Sequence, residues 1–172
     1  FDRLGEVFRL AVAATGDSRF GLYASRYMLP SHIHALGTAL IASRSLMDVC
    51  LRIERFGSFL AQTVVFYVER GEQETKFGAH LHVPLRPQAT DMFWSFVLRL
   101  MRHLDPAELN PTGVDLTEKE TPEAIQAYTD FFRCPLAFEC EEMALYFDTG
   151  RLERRLPTAS EELAGMADQV VK

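Results

Sequence analysis

The hydrophobic period of this chain switches repeatedly between helical and strand spacing, and that switching limits the fold more than any single residue does. Up to Gly57 the apolar residues recur at helical spacing. Residues 63–70 (TVVFYVER) are instead β-branched and aromatic, and residues 76–83 (KFGAHLHV) alternate, with Phe77, Ala79, Leu81 and Val83 on one side. Gly71 and its polar neighbours supply a turn, so the two runs predict a β-hairpin. Pro84 and Pro87 are expected to end the second strand, because proline cannot donate to a ladder. Over 91–104 helical spacing returns through Phe93, Phe96, Val97, Leu100 and Leu104, and Asp105-Pro106 should break it.

The flanking segments fill in the order. Leu4, Val7, Phe8 and Ala11 mark a first helix with Gly16 as its stop, and a second helix is expected over 19–28, ended by Pro30. Ser45 to Asp48 has the form of a capping box; Leu46, Val49, Cys50 and Ile53 then make one apolar stripe, closed by Gly57. A short strand is expected over 114–117. Thr121-Pro122 should open a helix carrying Ile125, Tyr128 and Phe132. Residues 136–140 and 143–147 read as a second hairpin joined across Glu141-Glu142. A capping box over 158–161 opens a last helix with Leu163, Met166, Ala167 and Val170 on one face. Together these predict an α+β fold: an antiparallel sheet of about five short strands in two hairpins, packed with about five to six helices. A cupin-like jelly roll with helices is the alternative.

With 172 residues the chain suits one domain, read here as spanning 1–172. No apolar run reaches the ~20 residues of a membrane span, and the start lacks the order of a signal peptide, so a cytoplasmic protein without a membrane partner is expected. A formal charge of −6, with no cluster of Lys and Arg, argues against nucleic-acid binding by this chain alone. Cys50, Cys134 and Cys140 show no CxxC spacing, so reduced packing thiols are expected. Cys134 and Cys140 would lie at opposite ends of one predicted strand, too far apart to bond or share a metal.

Signatures of catalysis are missing. There is no G-x-S-x-G elbow, no phosphate-cradling glycine loop and no H-E-x-x-H, so no enzyme, catalytic residue or cofactor is expected. The pairs His32/His34 and His80/His82 raise a metal-dependent enzyme as the rival. A third ligand cannot be placed, and no metal site is assigned. His103 fits the end of its helix, where the dipole favours a cation. The acidic residues at 118–120, 141–142 and 161–162 fall at turns and helix starts, where capping or solvation accounts for them.

Three segments nonetheless resemble one family. In ALGTALIASRSLMDVCLRIERFGSFL, residues Leu36-Gly37, Ser43, Ser45-Leu46, Leu51 and Arg55-Phe56 resemble a segment of the N-terminal domains of AraC-type transcription regulators, in the OruR and ArgR-like branch with the arabinose-binding domain. Tyr128, Phe132, Cys134-Pro135, Phe138, Leu145, Phe147-Asp148, Leu152, Leu156-Pro157 and Leu163 match a second marker in order, and Gly21-Leu22 with Ala24 a third. The resemblance implies a homodimeric, effector-sensing domain that acts allosterically on promoter DNA through a C-terminal helix-turn-helix domain lying outside this chain. A dimerisation module without ligand is the weaker variant. The effector is expected to be a small molecule, such as an amino acid, a fatty acid or other carboxylate, which would suit arginines. Residue type and the facing helix and hairpin nominate Tyr27, His34, Arg55, Phe66 and Tyr67 as ligand-binding; Arg55 falls opposite the apolar stripe of its helix.

Overall fold

The computed structural model describes residues 2–60, 62–83, 85–105, 107 and 109–171, with residues 2–4 described by backbone alone. Pro84, Pro106 and the side chain of Leu4 therefore lie outside the described residues. The elements run α1 Asp2–Thr15, α2 Phe20–Ala24, α3 His34–Ile41, α4 Leu46–Phe56, β1 Val64–Arg70, β2 Glu74–Leu81, α5 Pro87–Leu104, β3 Gly113–Asp115, α6 Pro122–Phe132, β4 Leu136–Ala137, β5 Met143–Asp148, α7 Thr149–Leu152 and α8 Glu161–Val171. The strands form one open five-stranded sheet in the order β1-β2-β5-β3-β4. The fold is α+β as expected, and the open single sheet replaces the jelly-roll alternative.

The first hairpin forms as predicted. Val64 faces Leu81 and Arg70 faces Thr75, with Gly71 N–H donating to Glu74 O (3.0 Å) at the turn. The second hairpin does not form. β5 pairs antiparallel with β2 and β3, while β4 lies beyond β3 and runs parallel to it. Two local features explain this. Glu139 adopts a left-handed backbone (φ 58°), and the amides of Glu139 and Cys140 donate to Glu118 O and Leu116 O, which holds 139–140 against the exit of β3. β5 is also nearly continuous in apolar residues, with Met143, Ala144, Leu145 and Phe147 all buried, so it belongs between two neighbours instead of at an edge.

The capping serine and threonine were legible. Ser45 Oγ accepts from Asp48 N, and Thr121 Oγ1 accepts from Ala124 N, each at 3.2 Å. Eight α-helices stand among the described residues, against five to six expected. Helices α3 and α7 were not anticipated, and the helix over 19–28 is a short α2 followed by a 3-10 turn. α5 begins at Pro87, four residues early: proline cannot extend a sheet interior but is pre-set for the first position of a helix. At α8 the capping oxygen comes from Ser160, whose Oγ accepts from Leu163 N (3.4 Å).

Gly57 and Gly37 are among the glycines fixed by close approach. Gly57 does not halt α4 in a left-handed turn; its backbone stays right-handed, and a Cβ there would overlap the ring of Phe66. On α3, a Cβ at Gly37 would overlap the carbonyl of Pro30, so the Leu36-Gly37 pair of the family motif marks a helix lying against the preceding turn.

The core lies between one face of the sheet and helices α4, α5 and α6. Its centre is aromatic: Phe77 meets Trp94 edge to face at 5.1 Å, and Phe66 meets Phe93 at 4.7 Å. Cys50 is fully buried within the α4 stripe, as read, and burial pushes its thiol up to about 12. All three cysteines are free. Helix α8 is tied back by Arg52, whose guanidinium donates to both Asp168 carboxylate oxygens (3.0 and 3.2 Å) and to Ser43 Oγ (3.0 Å).

Candidate functional site

The alternation of β2 puts Ala79 and Leu81 on the helix side of the sheet, yet Leu81 and Val83, which lies just past the strand's end, are 40% and 52% exposed. They are half-open because the space beside them is a cavity of about 660 Å³ at the end of the sheet where β1 starts and β2 stops. Val64 and Phe66 of β1 line it with Thr63 just before them, and Ala89, Thr90, Met92, Phe93, Trp94 and Phe96 line it from α5. Gly5 and Phe8 of α1 contribute on another side, with Met28, Ile33 and Leu60 from the turns. The volume falls within the roughly 300–1,000 Å³ typical of small-molecule sites.

Polar groups in this wall are few. Thr63 Oγ1 is buried and has no hydrogen-bond partner among the described residues. Thr90 adds a second hydroxyl. Arg86 carries the one charge among the described lining residues. It stands at the N-cap of α5, where no side chain caps the helix and no acidic residue occupies the first turn. The positive end of this 18-residue helix is therefore not offset by a side chain of its own first turn.

The five nominated residues are not brought together. Phe66 lines the cavity. Tyr67, one residue on, points to the opposite face of the sheet, as strand geometry requires. There its hydroxyl donates to Glu142 Oε1, its ring stacks on His80 (4.6 Å, 20°), and it lies across Gly78, where a Cβ would collide with it. Tyr27 is exposed at the end of a 3-10 turn, and His34 is exposed at the start of α3. Arg55 is exposed on α4 as expected, its guanidinium 4.9 Å from the centre of the Phe56 ring. Arg86, Thr63 and the α5 aromatics were not anticipated. Their signal in the sequence was Arg86-Pro87 ahead of a helix with more apolar positions than one buried stripe needs.

One histidine of each pair has another engagement. His80 Nδ1 lies 2.6 Å from Glu142 Oε2, and His32 Nδ1 accepts from Leu29 N (3.3 Å). Among the described residues no three His, Cys, Asp or Glu side chains converge. Glu142, read as a solvated turn acid, is instead half-buried and serves Lys76 (2.8 Å), His80 and Tyr67; desolvation raises its pKa, but those partners hold it below the usual carboxylate value overall. Glu118 likewise pairs with Arg19 (3.2 Å) beneath α6.

The fold agrees with what the chain is similar to. Residues 1–156 match the family described as the arabinose-binding domain of AraC transcription regulator, N-term. Among solved structures, the chain superposes on the crystal structure of the transcriptional regulator CdpR from Pseudomonas aeruginosa with a TM-score of 0.76 at 19% identity, a likeness of fold. That superposition covers 94% of this chain and 54% of CdpR, so the chain spans about half of that protein's length. No curated protein matches it. A family match over nine-tenths of the residues, on a fold with one large apolar cavity beside its sheet, places the chain among the arabinose-binding N-terminal domains of AraC transcription regulators, as an effector-sensing domain.

Proposed function

We propose that the domain senses a small apolar molecule in the cavity between β1, β2, α1 and α5, and passes that state to a DNA-binding helix-turn-helix domain of the full-length regulator in the cytoplasm. The observation that carries this reading is a 660 Å³ space whose described lining is almost wholly apolar. Control requires that the effector favour one arrangement of the domain over another. The cavity meets that condition because its walls belong to different elements, so filling it alters how α1 and α5 sit against the sheet. No bond is made or broken in this mechanism, and with His32 and His80 engaged elsewhere the histidine pairs lend no support to a metal-dependent enzyme. Membership of the OruR and ArgR-like branch is supported by the Leu36-Gly37 and Cys134-Pro135 motifs.

The test is direct. The neutral apolar probe N-phenyl-1-naphthylamine is expected to bind once per chain and to quench Trp94, the single tryptophan, which lines the cavity. Ala89→Phe, which fills the space from α5, should weaken that binding at least tenfold with little change in melting temperature. Absence of saturable binding, or indifference to Ala89→Phe, would remove the reading.

The expected homodimer is supported by α8. Leu163, Met166 and Val170 are 53%, 60% and 75% exposed and share one face at helical spacing, while Ala167, expected on that face, packs inward with Ala164. Such a stripe suits a second copy of α8. Met166→Asp is expected to convert dimers to monomers by sedimentation at micromolar concentration, leaving the melting curve of each protomer in place.

A further inference from the structure

The geometry points to a chain-like carboxylate with a single head group as the ligand of this cavity, its carboxylate held by Arg86 at the mouth and its hydrocarbon within. This inference rests on the reading of the cavity as the sensing site and adds the ligand's chemistry.

The interior selects for hydrocarbon. Phe66, Phe93, Met28 and Leu60 carry no hydrogen-bonding side-chain N–H or O–H, so each methylene that leaves water favours the bound state. A sugar fits poorly, in spite of the family's name. Each buried hydroxyl needs a partner, and the side chains of the described lining offer few: the hydroxyls of Thr63 and Thr90, the indole N–H of Trp94 and the guanidinium of Arg86. A free amino acid fits poorly too: its ammonium would meet no carboxylate among the described lining residues.

The mouth selects for an anion. Arg86 is exposed and lines the opening, and it immediately precedes Pro87, the first residue of α5. Guanidinium and helix end act in the same direction, the first through paired N–H donors and the second through its uncapped dipole. Gly5 on α1 leaves the guanidinium room; a Cβ there would stand 3.1 Å from Arg86 Nε. The nearby carboxylate of Glu6 is already held through both oxygens by Arg9, at 2.8 and 2.5 Å. Glu6 feels the Arg86 charge at longer range, but among the described residues no ion pair holds Arg86, so its N–H donors are open to a ligand.

The experiment compares probes of equal length. Decanoate, decan-1-ol, L-arabinose and L-arginine are titrated into the 172-residue chain by calorimetry, with Trp94 fluorescence alongside and decanoate kept below its micellar concentration. Decanoate is expected to bind once per chain and at least tenfold more tightly than decan-1-ol. Arg86→Gln should erase that difference by weakening decanoate alone, and Ala89→Phe should weaken both. Decan-1-ol binding as tightly as decanoate, or decanoate indifferent to Arg86→Gln, would overturn the head-group assignment while leaving the cavity as the sensing site. Tighter binding of arabinose or arginine, sensitive to Ala89→Phe, would do the same. Failure of both ten-carbon probes and of the neutral naphthylamine would overturn the sensing site and this inference together.

Discussion

Raising the pH from 5 to 8 is expected to destabilise the domain, and Asp91→Asn to abolish most of that loss. Asp91 lies in α5 with 2% of its surface exposed. Its Oδ1 accepts from the Tyr128 hydroxyl (2.8 Å), and Oδ2 is buried without a hydrogen-bond partner among the described residues. Burial disfavours the carboxylate and pushes its pKa up to about 7, against the smaller downward pull of Tyr128 and Arg19. In the unfolded chain the group titrates near 4. The folded state therefore keeps a proton that the unfolded chain releases, and the stabilisation is complete below about pH 4 and is lost as pH rises through 7. Three pK units correspond to on the order of 4 kcal/mol, a large share of a domain's total stability. Asparagine keeps the acceptor for Tyr128 and carries no charge, so the variant should be nearly flat over this range and the more stable protein at pH 8. Urea unfolding followed by Trp94 fluorescence at pH 5 and pH 8 measures both. An unchanged pH dependence in the variant would mean that Arg19, which donates to the Tyr128 hydroxyl at 2.9 Å, keeps Asp91 ionised in the fold.

Phe77→Ala should cost about 3–5 kcal/mol. Phe77 is fully buried on β2, the strand paired with β1 on one side and β5 on the other. Its ring touches Trp94 at 5.1 Å and faces Phe66 at 6.5 Å, so its loss removes contacts from strand and helix together. The flanking β-ladders keep those neighbours apart, which limits collapse into the space. The midpoint of urea unfolding reports the loss, and the slope should not change. A cost below about 1 kcal/mol would mean that α5 can settle onto the sheet, and the cavity beside it would then not be a fixed feature.

Much of the fold was legible because the signals were local. The period change between Gly57 and Thr63 gave the strands of the first hairpin, and Gly71 its turn. Ser45 and Thr121 marked helix starts through bonds that span three residues. Where local signals conflicted, the reading failed. Pro87 follows a strand and begins a helix; the same residue type serves both boundaries, and what decides is where the next apolar face must go. For the acidic pair at 141–142, a turn between two aromatic runs is an ordinary hairpin sign, yet Glu139 redirects the chain and β3 takes the place beside β5.

The site was less legible than the fold. Alternation assigns Phe66 and Tyr67 to opposite faces but does not say which face meets a helix, and both were nominated together. Leu81 and Val83 read as core because an apolar side chain looks the same whether it touches packed atoms or the wall of a cavity. Arg86 drew no notice as a surface arginine before a proline.

Period, caps and turns, and from them the α+β class and the family motifs, came from the sequence alone, because each depends on atoms a few residues apart. The order of the strands, the parallel seating of β4, the buried Asp91 and the cavity under Arg86 were decided by tertiary structure. Each depends on how surfaces distant in the chain meet and on what space they leave between them, and no short stretch of residues encodes that.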